Sequence, residues 1–279
     1  MSSSSNTGAT RIARSFLFVP GDRPERFAKA AASGAHEVIL DLEDAVAPEA
    51  KAHARTAVAA WLADGARAIV RINAADTEWF EQDLEMIRSA PAAGVMLPKA
   101  DAASTERVAR ALHGRSIVAL VETVGGYMEL RQLAAIPGLH RIAFGSVDFA
   151  GESGIADEGD AMTAIRTQIV LESRHAGLIA PIDGVSVEFG DEERMRSDAL
   201  RSRQLGFGGK LCIHPRQVTP VNAAFRPTPG ELRWAQRVLA AFEASHGAAT
   251  AVDGKMIDKP VVERARRIAA DAAQETGAA

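Results

Sequence analysis

The chain has a single cysteine, Cys212, so it can form no internal disulfide and offers no CxxC pair for zinc or thiol redox chemistry. Its seven histidines include no HxxxH or HExxH spacing, which argues against a transition-metal site. No Lys/Arg block occurs, and a formal charge of −4 makes nucleic acid a poor partner. No apolar run approaches membrane-spanning length. The opening MSSSSNTGAT has neither a basic start nor an apolar core, so residues 1–13 read as a flexible tail rather than a signal peptide. These absences leave a soluble, cytoplasmic, reduced protein as the expected class. A length of 279 residues suits one large α/β barrel or two ordinary domains.

Short apolar runs alternate with helical patterns. Strands are expected at Phe16–Val19, Val38–Leu40, Ala68–Ile72, Gly94–Leu97, Ile117–Val121, Arg141–Phe144, Gly184–Val187 and Lys210–Ile213. They are apolar on both faces, as strands covered on both sides must be. Between them, Asp22 with Pro24 and Glu25 forms a capping-box pattern, Ser104 reads as a cap, and Asp160 opens a helix carrying Met162, Ile165 and Ile169. The segment from Asp191 to Leu205 closes at Gly206. Eight βα units within residues 14–226 are the arithmetic of a (β/α)8 TIM barrel. A doubly wound open sheet is the alternative, but no GxGxxG follows the first strand. Residues 227–279 read as a C-terminal helical extension, with Leu232, Ala235, Val238, Leu239 and Phe242 inward, expected to pack on a neighbouring subunit.

In such a barrel the active site lies at the C-terminal ends of the strands. Charged residues concentrate there: Asp41, Glu43 and Asp44 after strand two, Arg71 in strand three, Lys99 after strand four, Glu122 after strand five, Asp148 after strand six. Glu122 and Asp148 are the expected ligands of Mg²⁺, because hard oxygen donors suit that ion and leave positions for water or substrate. Asp44 and Glu43 would orient those waters. Arg71 would offer a positive fork to a carboxylate or a developing enolate, unless it pairs with Asp41 or Asp44. Arg14, just before strand one, is a second expected anion contact. Glu122 and Asp148 read separately could each be a helix cap. Lys99 is a poor imine former, because nearby acids keep an amine protonated. His214 reads as a supporting group rather than a catalyst, Cys212 as packing within strand eight, and Trp61, Trp79 and Trp234 as core or interface on helical faces.

The motifs RSFLFVPGDRPERF, DLEDAV followed by Lys51 and Arg55, RIN, LPK, VET, FGSVDFA, GFGGKLCIHPRQV and GKMIDKP occur in this order from Arg14 to Ile268. This series resembles the citrate lyase β-subunit-like proteins of the HpcH/HpaI aldolase family. The resemblance implies a (β/α)8 barrel and Mg²⁺-dependent cleavage or formation of a carbon–carbon bond in a 3-hydroxyacyl thioester, such as a citramalyl, malyl, methylmalyl or citryl ester. It implies Glu122 and Asp148 as metal ligands and Arg71 as a substrate contact. It implies Asp258, contributed by an adjacent subunit, as the proton-transfer acid. Arg23, Arg26 and Lys29 become candidates for the coenzyme A phosphates, with an acyl-CoA thioester and small keto acids as ligands and a homo-oligomer (trimer or hexamer) as the assembly. Two departures stand out. FAGESGI replaces the turn usual after the strand-six acid, and DLEDAV lacks the histidine of the simple pyruvate aldolases. The alternatives are a citrate lyase β subunit acting on an acyl-carrier thioester, a thioesterase or malate-synthase-like activity, and a catalytically silent binding barrel.

Overall fold

The computed structural model describes residues 13–90 and 93–276, so the expected N-terminal tail, apart from Ala13, lies outside the described residues. Ala13–Phe225 form one compact unit, and the chain from Arg226 belongs to a second.

In the first unit eight parallel strands close into a barrel in sequence order: β1 (Ser15–Pro20), β2 (Glu37–Asp41), β3 (Ala68–Arg71), β4 (Ala93–Leu97), β5 (Ile117–Val121), β6 (Leu139–Phe144), β7 (Ile182–Asp183) and β8 (Gly209–Cys212). Closure comes from β8 pairing with β1, Ser15 opposite Lys210 and Leu17 opposite Cys212. Strand residues alternate between two apolar environments. Phe16, Ile39, Ile69, Met96, Leu120 and Leu211 cluster inside the barrel. Their neighbours Leu17, Leu40, Val70, Val95, Ala119 and Cys212 join the larger cluster under the helices. Each Val, Leu, Ile, Phe or Met among them gains about 1.5–3 kcal/mol on leaving water. Burial on both faces is why the runs read as continuously apolar.

The surrounding helices are α1 (Phe27–Ala31), α2 (Lys51–Ala63), α3 (Phe80–Ser89), α4 (Ala102–Ala111), α5 (Val124–Met128), α6 (Leu130–Ala134), α7 (Ser146–Ser153), α8 (Thr163–His175), α9 (Glu192–Leu205) and α10 (Val218–Phe225). The fold is the expected (β/α)8 barrel, with local differences. The Asp22 capping box does not form: a 3-10 turn at Pro24–Arg26 leads into α1, and the residue at its cap, Arg23, makes no capping side-chain hydrogen bond. Asp101, not Ser104, caps α4; Ser104 is the third residue of the reciprocal box. α8 starts at Thr163, after Asp160. Trp79 precedes α3 and lies under Lys51, 5.1 Å from Nζ to the ring centroid.

The largest difference is strand seven, expected at Gly184–Val187 and found at Ile182–Asp183. Beyond Asp183 side chains take over the ladder's bonds. The Gly184 N–H donates to Asp183 Oδ1 at 2.8 Å, Lys210 Nζ donates to the Gly184 carbonyl at 2.7 Å, and Gln217 Nε2 donates to the Ser186 carbonyl at 2.6 Å. The chain can therefore leave the sheet without orphaning its backbone.

The second unit holds α11 (Pro229–Ala244), a hairpin of β9 (Thr250–Val252) and β10 (Lys255–Ile257), and α12 (Lys259–Thr276). Thr228 and Glu231 form a capping box on α11. Ala235, Val238, Ile257, Val262 and Ala265 make its core. The hairpin turns at Asp253-Gly254, both with positive φ, the two-residue turn that suits strand twist. No described helix is long and apolar enough to cross a membrane.

Candidate active site at the mouth of the barrel

Strand alternation delivers the polar residues. The parity that puts Ile39 inside continues to Asp41 and Glu43. The same step takes Ile69 to Arg71 and Leu120 to Glu122. The four polar groups thus rise from the apolar interior into the mouth. There Asp41, Arg71 and Glu122 border a cavity of about 450 Å³ whose lining also includes Asp44, Ser146 and Asp148.

Arg71 is fixed before any ligand arrives. Its Nε and Nη2 donate to Asp41 Oδ1 and Oδ2 at 2.7 and 2.6 Å, a bidentate fork set up by the register that puts Asp41 opposite Arg71. Nη1 lies 3.0 Å from Glu43 and 3.9 Å from Asp44. Burial opposes its charge, but the bonds to Asp41 and the nearby Glu43 raise its pKa and keep it cationic. Lys51 Nζ anchors the loop carrying Glu43, donating to the Leu42 and Glu43 carbonyls at 2.7 Å each. Lys99 Nζ lies 3.4 Å from Glu43 Oε1. Burial works against the Lys99 ammonium, yet Glu43 and Asp44 outweigh it and raise its pKa, the wrong direction for an imine.

Glu122 is almost fully buried. Its Oε1 accepts the Lys99 backbone N–H at 2.8 Å. Burial, then the Glu43 carboxylate, push its pKa up to about 8. Glu43 is pushed up to about 6 by burial, with Arg71 pulling the other way. Gly145, at the end of β6, lets the chain pass against Glu122: a Cβ there would collide with the Glu122 Cβ and lie 2.6 Å from Oε2. Asp148 follows in the first turn of α7, exposed at the cavity edge rather than on the strand itself.

These residues fit a hard cation. All donors are oxygens, and the raised pKa of Glu122 marks a buried anion short of positive charge. Among the described residues no group of three or more His, Cys, Asp or Glu could hold a metal ion. Two carboxylates supplying part of a shell, with water and substrate supplying the rest, is the pattern of Mg²⁺.

The other expected site residues lie elsewhere. Arg14 is a correction: it precedes β1, so strand direction places it at the barrel's N-terminal end, away from the mouth. Arg23, Arg26 and Lys29 follow β1 and are exposed, outside the cavity lining. Asp258 belongs to the second unit, where its Oδ1 accepts the Val261 N–H at 3.4 Å at the start of α12. His214 Nδ1 accepts the Arg216 N–H, and its ring stacks on Phe189 with centroids 4.8 Å apart, a supporting role. Cys212 is buried, and burial pushes its thiol up to about 12. The depth of Glu43 and the close approach at Gly145 went unread in the sequence. The spacing Ile39–Asp41–Glu43 was the signal for the first.

A family model described as HpcH/HpaI aldolase/citrate lyase matches residues 14–215. The chain belongs to that family. It is 39% identical over 269 residues to a (3S)-malyl-CoA thioesterase of Cereibacter sphaeroides, covering 93% of this chain and 94% of the relative. It is 38% identical over 268 residues to a citrate lyase subunit beta-like protein of Mycobacterium tuberculosis, covering 94% and 96%. Among solved structures it resembles Mycobacterium tuberculosis CitE in complex with magnesium, acetoacetate and coenzyme A. The TM-score is 0.83 at 36% identity, covering 94% of this chain and 98% of that one. The expected likeness to citrate lyase β-subunit-like members of the HpcH/HpaI family therefore holds.

Proposed function

We propose that the protein is a Mg²⁺-dependent carbon–carbon lyase that cleaves or forms a 3-hydroxyacyl-CoA thioester, such as citramalyl-, malyl- or citryl-CoA, with acetyl-CoA and an α-keto acid as the other side of the reaction. The observation that carries this reading is the placement of Glu122 and Asp148 on one cavity with Arg71. The relationship to CitE, crystallised with magnesium, acetoacetate and coenzyme A, supports it.

In this reading Glu122 and Asp148 hold the ion. When bound, Mg²⁺ would acidify the substrate hydroxyl and neutralise the oxygens of the keto-acid half. Asp44, at the edge of the cavity, orients water and receives the hydroxyl proton. The carbon–carbon bond breaks, its electron pair passes to the acetyl carbon, and the hydroxyl carbon becomes the keto carbon. Arg71, already immobilised by Asp41, stabilises the thioester enolate oxygen without reorganising. Asp258 of a neighbouring copy protonates the acetyl carbon, and in the condensing direction removes that proton. Exposed Arg23, Arg26 and Lys29 meet the coenzyme A phosphates. Residues 227–279 then serve as the extension that packs on the neighbour in a trimer or hexamer.

The test is an assay of purified protein with Mg²⁺ on the three thioesters, with and without a chelator. Chelator-sensitive release of acetyl-CoA and keto acid is expected. Turnover indifferent to the chelator would remove the metal from the reaction. A thioesterase is the second reading, favoured by the Cereibacter sphaeroides relative. It gives free coenzyme A and a hydroxy diacid instead. Turnover of coenzyme A esters by this chain alone would set aside the carrier-dependent citrate lyase subunit. Truncation at Gly254 removes Asp258 and is expected to abolish proton exchange at the acetyl carbon; wild-type exchange would dismiss the neighbouring acid.

A further inference from the structure

Lys99 breaks the alternation that builds the rest of the mouth. In β4 Met96 faces the barrel interior, whereas Val95 and Leu97 face the helices. The same parity carried two residues past Leu97 would send Lys99 outward. Its φ is +48° instead, a left-handed backbone that a residue with a Cβ seldom adopts. His246 and Asp253 share that sign, but both belong to the second unit. Among the described residues of the barrel unit, Lys99 is the one non-glycine residue with positive φ.

The bend brings both arms of the residue to the mouth. The backbone N–H donates to Glu122 Oε1 at 2.8 Å, on the side of β5. The side chain reaches past β3 to Glu43, after β2, where Nζ lies 3.4 Å from Oε1. Arg71 Nη1 meets the other oxygen of that carboxylate at 3.0 Å. Neighbouring contacts hold the bend. The Ala100 N–H donates to the Leu120 carbonyl at 3.1 Å, Asp101 caps α4, and the Ala100 carbonyl packs so closely on Gly126 that no Cβ fits there. Fold stability gives little reason for the strain. The Lys99 side chain is 50% exposed, and an ion pair so open to water returns little. A bend kept at a cost and aimed at two acids belongs to a site.

We propose that Lys99 is a positioning residue of the site. Its left-handed backbone lets one residue orient two acids. The amide fixes the Glu122 carboxylate for the metal, and the ammonium holds Glu43 beside Arg71, so that the guanidinium stays aimed. The two arms are separable, because the first depends on backbone conformation and the second on charge. The inference rests on the reading of Glu122 as a Mg²⁺ ligand and of Arg71 as the group that stabilises the enolate.

Variants of the full chain test each arm. Isothermal titration with Mg²⁺ reads the backbone. Lys99→Gly and Lys99→Val both delete the ammonium, so its repulsion of the ion cancels between them. Glycine accepts the left-handed backbone, and β-branched valine resists it. The valine variant is expected to bind Mg²⁺ about tenfold more weakly than the glycine variant, the scale of losing a group that orients a metal ligand. Lys99→Ala, expected about fivefold weaker than glycine, keeps the comparison if valine prevents folding. Turnover at saturating Mg²⁺ reads the ammonium. Lys99→Gly is expected to lose about tenfold in kcat, and Lys99→Arg, which keeps a cation, to recover most of that loss. Equal Mg²⁺ affinity in the glycine variant and in its valine or alanine counterpart overturns the inference, because residue 99 then does not place Glu122. A glycine variant as fast as the wild type overturns it too. A wild type that binds Mg²⁺ without cleaving thioesters removes the lyase reading alone, since titration still decides the comparison of glycine with valine.

Discussion

Two charged clusters lie on different strands of the one barrel, and they have opposite electrostatic characters. Asp183 of β7 is as buried as Glu122 of β5, but its parity points it outward, toward α8 and α9. There Oδ1 accepts Arg166 Nε at 2.9 Å, Oδ2 accepts Ser202 Oγ at 2.5 Å, and Lys210 Nζ lies 4.0 Å away. Arg166 also reaches Asp157 at 2.8 Å. Burial raises the Asp183 pKa, yet Lys210 and Arg166 overcome it and the net direction is down. At the mouth the net direction is up, to about 8 for Glu122 and about 6 for Glu43. One cluster is complete within the chain and serves the fold. The other is short of positive charge and is where a cation or substrate belongs.

The comparison breaks most sharply with paired amide substitutions. Glu122→Gln is expected to lower Mg²⁺-dependent turnover about 10³-fold, the scale of losing a metal's contribution to the barrier. The same change is expected to raise metal-free stability near neutral pH, because the buried Glu122 carboxyl must take up a proton on folding and the amide need not. Mg²⁺ should raise the melting temperature of the wild type and not of this variant. A metal-free variant less stable than the wild type would contradict the electrostatic picture of the mouth.

Asp183→Asn should do the reverse. It removes the buried anion that both cations face, leaving Arg166 with Asp157 and Lys210 with the Gly184 carbonyl, and is expected to cost at least about 3 kcal/mol in urea unfolding. The fraction that remains folded should keep its Mg²⁺ response. A loss below 1 kcal/mol would mean that the outer cluster is not holding β7.

The pH dependence sharpens the contrast. The raised Glu122 and Glu43 stay protonated in the fold after the unfolded chain has ionised near 4.5. Their contribution is therefore full below pH 4.5 and is lost as pH rises, through about 6 for Glu43 and about 8 for Glu122. Asp183 runs the other way: its contribution is present above its ordinary 3.8 and is lost as pH falls toward its depressed value. Metal-free stability should thus decline between pH 5 and 8, and saturating Mg²⁺ should flatten that decline. Unfolding curves across the range, with and without Mg²⁺, check it; a slope that ignores the ion would separate the pKa values from the metal site.

The barrel was legible in the sequence because each strand is buried on both faces, which leaves a compact apolar run between helix signals. The mouth was legible because strand direction sends Asp41, Arg71 and Glu122 to the same end. Strand seven was not, since Gly184–Val187 reads like its neighbours and only Lys210, Gln217 and the Asp183 side chain replace its ladder. Such long-range substitutes have no local signature. The Arg71–Asp41 fork stayed an alternative for a related reason: it depends on register, which pairs the two residues across β2 and β3. Arg14 was misread by ignoring strand polarity. The β9–β10 hairpin did carry a signal, Asp253-Gly254 between apolar residues, that the helical reading of the extension passed over.

The smallest change tests whether completeness in the outer cluster is graded. Ser202 Oγ bridges Asp183 Oδ2 and the Asp198 carbonyl, the latter at 2.9 Å. Ser202→Ala leaves Arg166 and the Gly184 N–H on Asp183, so the carboxylate keeps most of its partners. The expected cost is about 1–2 kcal/mol, a charge-assisted hydrogen bond rather than a broken ion pair. The Asp183 pKa should rise toward its ordinary value, so stability begins to fall at higher pH on acidification than in the wild type. Turnover should be unchanged, because Ser202 is on the outer side of the wall. A loss as large as that of Asp183→Asn would show that the hydroxyl, not the cations, keeps that carboxylate ionised, and the contrast between the two clusters would then rest on hydrogen bonding rather than on charge.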